Sequence, residues 1–224
     1  MPKPDRYHAD LSKISLDDFA DSLRTRKMIP SRLALKDDLE HRFALLKARG
    51  LKSMADVLSA LKAKVSMALV ASETGLSLEY LNLLRREINS YLPSPVVLSK
   101  IPGVDSQLVD TLAAVGITNS RHLFRSAATR ATRTELAASL GEPSERLDEL
   151  ICLSDLSRLY GVGPVFARLL YDAGFHTVET LRSKTAEDLV ALYEERTGKP
   201  ADFGAHEVQV TLEMASVLDA VVEI

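Results

Sequence analysis

The chain has 224 residues, of which 46% are hydrophobic and only 5% aromatic, and it contains no tryptophan. Its core must therefore be built from Leu, Ala and Val, a composition that favours helices over sheets. No apolar run reaches the roughly 18 residues of a transmembrane span, and we expect no signal peptide because the first residues lead into no apolar segment. One cysteine, Cys152, cannot form an internal disulfide, so we expect a cytoplasmic protein.

The net charge of −3 is spread unevenly along the chain. Residues 1–92 carry 16 Lys and Arg against 12 Asp and Glu, residues 93–155 carry 6 against 8, and residues 156–224 carry 6 against 11. The overall charge lacks the basic excess that is usual in dedicated nucleic-acid binders. The asymmetry suits a two-sided surface or head-to-tail self-contact.

After residues 1–29, for which we predict an N-terminal helical extension, one pattern occurs three times. Each copy has Gly, then an apolar residue, with Ser or Thr within three positions. The copies are Gly50-Leu51-Lys52-Ser53, Gly116-Ile117-Thr118-Asn119 and Gly174-Phe175-His176-Thr177. A second glycine follows 25, 25 and 24 residues later, at Gly75, Gly141 and Gly198. The pattern predicts helical repeats over residues 30–92, 93–155 and 156–224.

The repeated glycine has a physical explanation. A helix often ends at a residue with positive φ, a conformation that glycine adopts without steric cost. The apolar residue after it can fold back onto the helix that has just ended, and Ser53 or Thr177 can then cap the next helix. No segment shows sustained alternation of polar and apolar residues, so we predict no strands. The expected fold is all-α, built from tandem helical repeats.

The third repeat opens with a glycine turn between two short predicted helices. Its motif is filled by Leu156, Leu159, Gly161, Val162, Gly163 and Ala167. The second repeat matches in part, with Leu98, Ile101, Gly103, Val104 and Leu112, and has Asp105 in place of the second glycine. The first repeat, a degenerate copy, has no glycine in the corresponding window, residues 35–39.

This motif resembles the helix-hairpin-helix motif of SAM-like domains. The resemblance implies that backbone N–H groups of the turn bind a phosphate oxygen without reading sequence. It carries this role to Gly161, Val162 and Gly163, and to Gly103 and Val104 in the second repeat. The basic residues expected beside these turns are Arg158, Arg168 and Lys100. The hairpin together with the segment that follows it, Gly174 to Leu181, resembles an uncharacterised bacterial group, domain of unknown function family 4332, which implies a fold but no activity.

A second candidate for phosphate binding is a run of basic residues without acids. It contains Arg121, His122, Arg125, Arg130 and Arg133, and no acid stands between Asp110 and Glu135. Arg121 and Arg125 share one helix face because they are four residues apart. The run is either a surface that follows a phosphate backbone or an ordinary solvated face. A similar cluster near the N-terminus allows the same two interpretations: Arg24, Arg26, Lys27, Arg32 and Lys36.

Nothing in the sequence indicates an enzyme. The chain has no phosphate-binding loop, dinucleotide fingerprint or nucleophile elbow. None of its five histidines stands at a metal-ligand spacing from Cys152 or another histidine, so we expect no metal and no cofactor.

Two functional hypotheses remain. The first is non-catalytic, sequence-independent binding of nucleic acid, foremost DNA, through turn amides and arginines. It requires Gly163, Arg158 and Arg168, or Gly103, Lys100 and Arg121, to converge on one positive face. The alternative is a module for protein interaction, scaffolding or self-association, in which the turns serve packing only. That alternative predicts an exposed apolar or acidic patch on the third repeat, with Tyr193 and Phe203 as candidates. Neither hypothesis involves a membrane.

Overall fold

The computed structural model describes residues 6–201, 203 and 205–224. Over these residues the secondary structure is helical, with two isolated antiparallel bridges and no strand. The all-α prediction is therefore confirmed. Within the same residues, no helix combines the length and the apolar character needed to cross a membrane. The chain divides into two compact units, one of residues 10–91 and the other of residues 92–224 together with the N-terminal residues 6–9.

The first unit contains five α-helices. They are α1 (Leu16–Thr25), α2 (Leu39–Ala48), α3 (Met54–Ala60), α4 (Lys64–Thr74) and α5 (Leu78–Asn89). Short 3-10 helices, Leu11–Lys13 and Pro30–Leu35, precede α1 and α2. An antiparallel bridge joins Ser15 to Ser53, which fixes the start of α1 beside the start of α3. Buried aromatic rings of Phe19 and Phe43, with centroids 5.9 Å apart, lie in the core between α1 and α2.

The second unit contains the remaining helices. They are α6 (Ser106–Ala114), α7 (Ser120–Ala127), α8 (Arg130–Leu140), α9 (Asp148–Leu156), α10 (Pro164–Asp172), α11 (Val178–Leu181), α12 (Ala186–Thr197) and α13 (Ala205–Val217). The 3-10 helices Leu98–Lys100 and Ser144–Leu147 precede α6 and α9, and an extended segment follows α13. The central helix α9 is buried along its whole length from Leu150 onward. It packs against α7 and α10.

The six repeated glycines all end helices in the left-handed conformation. Their φ angles are 88°, 84° and 90° at the first glycine of each copy, and 72°, 70° and 65° at the second. The residue after each first glycine donates its N–H to a carbonyl five residues back, as in Leu51 to Leu46 and Ile117 to Leu112. Leu51 and Ile117 are both buried, as the sequence predicts. Each of the three sets of four helices, α2–α5, α6–α9 and α10–α13, thus has a left-handed glycine after its first and its third helix.

The predicted caps are also present. Ser53 and Thr177 each accept a hydrogen bond from the amide three residues on, within a reciprocal capping box. In the second copy this role falls to Asn119, which caps α7.

Candidate nucleic-acid interface

The turn of the third copy, residues 161–163, is built as the sequence predicts. Gly161 has a φ of 78°. Val162 is buried beside the fully buried Leu159 and Ala167. Gly163 is the N-cap of α10, with Pro164 in the first helical position. The amides of Val162 and Gly163, however, donate to the carbonyls of Leu159 and Gly161, both at 3.2 Å. These two predicted phosphate donors are therefore already used inside the turn.

The first turn of α10 offers different amides. The Gly163 N-cap has no side chain to accept from them, and the first backbone bond into the helix is Ala167 to Gly163, at 2.9 Å. The amides of Val165 and Phe166 consequently point out of the N-terminal end of α10. This is the positive end of the helix dipole, which attracts anions. Val165 is 61% exposed, so this end of α10 is open to solvent. Val165 and Phe166, which the sequence analysis did not select, thus replace Val162 and Gly163 as candidate donors.

The turn of the second copy, residues 103–105, is closed by its own carboxylate. Gly103 has a φ of 73°. Asp105 caps α6 by accepting from the amides of Gln107 (3.0 Å) and Leu108 (3.2 Å). Its ion pair with Arg146, followed by the bond from Leu108, lowers the pKa of Asp105. The Asp105 carboxylate thus stands where a phosphate would lie, and this turn, with Gly103 and Val104, is a poor anion site.

The prediction that Arg158 binds phosphate beside the turn is wrong, because its side chain has no exposed surface. Its guanidinium donates to the backbone carbonyls of Tyr7 (2.9 Å), Arg6 (3.1 Å) and Asp219 (2.9 Å), and it pairs with Asp155. It also lies 4.5 Å from the centroid of the Phe124 ring. Arg158 therefore cannot reach a nucleic acid; it joins the N-terminal residues, α9 and the segment after α13.

Arg168 connects the second and third turns. Its Nε donates to the carbonyl of Pro102 at 2.8 Å, and its side chain packs against Gly103, where a Cβ would lie 3.7 Å from Nε. It also pairs with Glu149 and, at 3.3 Å, with Asp172. Arg168 is thus paired with two acids and has a structural role between the second and third turns.

Lys100, Arg121 and Arg125 lie around one bridge. The antiparallel bridge between Val97 and Asn119 fixes the 3-10 helix that ends at Lys100 beside the start of α7. Arg121 and Arg125 are one turn apart on α7. Lys100 and Arg125 are exposed and Arg121 is half-buried. The bridge thus places the segment that carries Lys100 beside the start of the helix that carries Arg121 and Arg125.

Three more of the basic residues selected from the sequence make structural contacts. Arg133 is buried and pairs with Asp148 at 2.7 Å. In the first unit, Arg26 and Arg32 of the N-terminal cluster both bind the buried Glu87, at 2.8 Å and 2.7 Å, whereas Arg24 and Lys27 are exposed. Arginine density in the sequence therefore overestimates the basic surface.

The third copy carries a small aromatic cluster. The ring of Phe203 contacts those of Tyr193 (centroids 4.9 Å apart) and Phe166 (5.4 Å). All three rings are half-buried. The sequence-based alternative names Tyr193 and Phe203, and Phe166 joins them from α10. Across the part of the chain that the structure describes, no three His, Cys, Asp or Glu side chains are grouped as metal ligands.

These features define an all-helical protein with glycine-ended helices in a threefold order and an arginine-bearing face on α7. Residues 102–200 match the model of a family described as a domain of unknown function, DUF4332. The matched range runs from the turn of the second copy to just beyond α12, and the chain is similar to that family over this range. No curated protein and no solved structure matches the chain.

Proposed function

We propose that the chain binds nucleic acid, foremost DNA, through its phosphate backbone, without reading sequence and without catalysis. The observation that carries the proposal is the acid-free stretch of residues 111–134, which includes α7 and the start of α8. It holds Arg121, which is half-buried with a buried Nε, and the exposed Arg125 one helical turn apart. Four residues of helix separate the two arginines by about 6 Å along the axis. That spacing lets two guanidinium groups reach neighbouring phosphates of one strand.

The open N-terminus of α10 supports the same proposal. A helix start with amides uncapped by side chains attracts phosphate oxygens. In a helix-hairpin-helix unit, to which the third copy is similar, such amides contact the backbone of the nucleic acid. Lys100, beside α7, extends the basic surface. Arg158 and Arg168 take no part in binding and instead hold the elements that present it.

Fluorescence anisotropy of labelled duplex DNA, single-stranded DNA and RNA, titrated at several salt concentrations, tests the proposal. The variant Arg121→Gln with Arg125→Gln should weaken binding and reduce the slope of log K against log salt by about 1.8 for duplex DNA, which corresponds to two phosphate contacts. The matched control is Arg196→Gln with Lys199→Gln, which removes two exposed positive charges from the α12 end of the chain. Circular dichroism confirms that both variants fold.

Two results contradict the proposal. One is the absence of binding at low salt with protein at tens of micromolar, a range in which non-specific binders register. The other is an equal loss in the variant and its control, because bulk charge alone would then account for the binding.

The second candidate function is protein interaction or self-association through the third copy. The half-buried cluster of Phe166, Tyr193 and Phe203, beside the exposed Val165, favours it. Exposed apolar groups next to aromatic rings are typical of protein interfaces. Sedimentation over a concentration series tests self-association. It should show a larger species that Val165→Asp abolishes, whereas a monomer at all concentrations would leave only a heterologous partner for this surface.

A further inference from the structure

The extended segment after α13, residues 218–224, is held by arginines, and we call it the strap. Arg158 donates to the carbonyl of Asp219 at 2.9 Å, and the Asp219 carboxylate pairs with Arg6 at 3.0 Å. Arg182 donates to the carbonyl of Leu218 and, at 2.9 Å, to that of Ala215. Because Arg158 is fully buried, this inner end of the strap is anchored firmly.

The outer end of the strap lies on the N-terminus of α8. The N–H of Glu223 donates to the carbonyl of Ala128 at 3.1 Å, and its own carbonyl accepts from Arg133 at 2.6 Å. The Glu223 carboxylate accepts from the backbone N–H of Arg130 at 2.9 Å. The guanidinium of Arg130 in turn donates to the carbonyl of Ile224.

The chemistry of this contact is that of an anion site. A carboxylate on the first amide of an 11-residue helix is stabilised by the helix dipole, and a phosphate oxygen uses the same donors. Arg130 follows Arg125 by five residues and belongs to the same acid-free stretch. The strap thus places its outer acid on Arg130, at the start of the helix that follows α7.

We propose that the strap is an autoinhibitory element, in which Glu223 competes with the phosphates of a nucleic acid for Arg130 and the N-terminus of α8. This inference rests on the proposed function. Opening is confined to the outer end, because Glu223 and Ile224 are exposed whereas Asp219 is tied to the buried Arg158. Arg133 keeps its pair with Asp148 and its bond to Ala127 when the end opens, so the core remains intact.

The substitution Glu223→Gln removes the competing charge and keeps the length of the side chain. It should tighten the binding of a labelled DNA duplex by about two- to fivefold at physiological salt, the equivalent of one carboxylate at a helix N-terminus. The charge-matched control, Glu195→Gln, alters an exposed acid on α12 and should change affinity by less than half of that effect. Hydrogen exchange of the Glu223 amide, which is bonded to Ala128, should accelerate when the duplex saturates the wild-type protein.

The outcomes separate the inference from the proposed function. Equal affinities of wild type, Glu223→Gln and Glu195→Gln, with binding still weakened in the double arginine variant, would overturn the inference about the strap and keep the proposed function. Unchanged exchange of the Glu223 amide at saturation would also overturn it. Binding by none of the variants removes both proposals. Tighter binding by Glu223→Gln alone, with faster exchange on addition of DNA, supports both.

Discussion

Replacing Arg158 by Met should destabilise the second unit more than any surface substitution. Methionine fills a similar volume but leaves the Asp155 carboxylate, which is fully buried, without its cation. Breaking a buried ion pair from one side costs about 3–5 kcal/mol. The carbonyls of Tyr7, Arg6 and Asp219 also lose their donor, and each buried unsatisfied group adds roughly 1–3 kcal/mol unless water enters. Because Asp155 can accept a proton, we expect a net loss of about 3–5 kcal/mol in the free energy of unfolding.

Urea denaturation followed by circular dichroism measures this loss. The control is Arg196→Met, at an exposed position on α12, which should change the free energy of unfolding by less than about 0.5 kcal/mol. The double variant Asp155→Asn with Arg158→Met should be less destabilised than the sum of its single substitutions, because it removes the stranded carboxylate. A loss below about 1 kcal/mol in Arg158→Met would refute the conclusion that this residue joins three segments of the unit.

Two further predictions concern titration and backbone conformation. Burial raises the pKa of Tyr7 and of Tyr80 to about 12, so between about pH 10 and 12 the unfolded chain loses protons that the folded chain keeps. The free energy of unfolding should therefore fall as pH rises through this window, by up to about 1.4 kcal/mol per pH unit for each tyrosine. Alkaline denaturation curves measure this fall. Ionisation of both phenols near pH 10 in an ultraviolet titration of the folded protein would contradict this. Gly161→Ala, at a φ of 78°, should lower the free energy of unfolding by about 1–2 kcal/mol, whereas Gly163→Ala should be nearly neutral because a Cβ there meets nothing within 4 Å. Equal losses in thermal or urea unfolding would show that both glycines are needed for packing.

The helix ends could be predicted from the sequence because their causes are local. A left-handed C-terminal residue, a buried apolar residue after it and a capping Ser or Thr all act within about six residues. The start of α2 has no such local signal. There the chain enters through a 3-10 helix, and Asp38 takes a φ of 50° without any glycine.

The candidate site was harder to predict, because the partners that bury or bind its arginines are far away in the sequence. Arg158 is buried by Tyr7 and Asp219, which are 151 and 61 residues away. Arg168 is bound by the carbonyl of Pro102, 66 residues away. Sequence spacing contains no signal for such contacts, apart from Asp155, which lies three residues before Arg158 and suits a pair on one helix turn. By contrast, Arg121 and Arg125 share a helix face as predicted, since that relation depends only on helical geometry.

The hydrogen bonds of Arg158 bear on where the chain can be truncated. Its three carbonyl acceptors, on Arg6, Tyr7 and Asp219, all lie outside residues 102–200, the range of family similarity. Glu223, which accepts from Arg130 and Arg133 on α8, lies outside that range as well. A fragment cut at those borders would lack the three backbone oxygens that accept hydrogen bonds from the Arg158 guanidinium. The stretch that the family model matches is therefore shorter than the stretch whose contacts hold Arg158 in place.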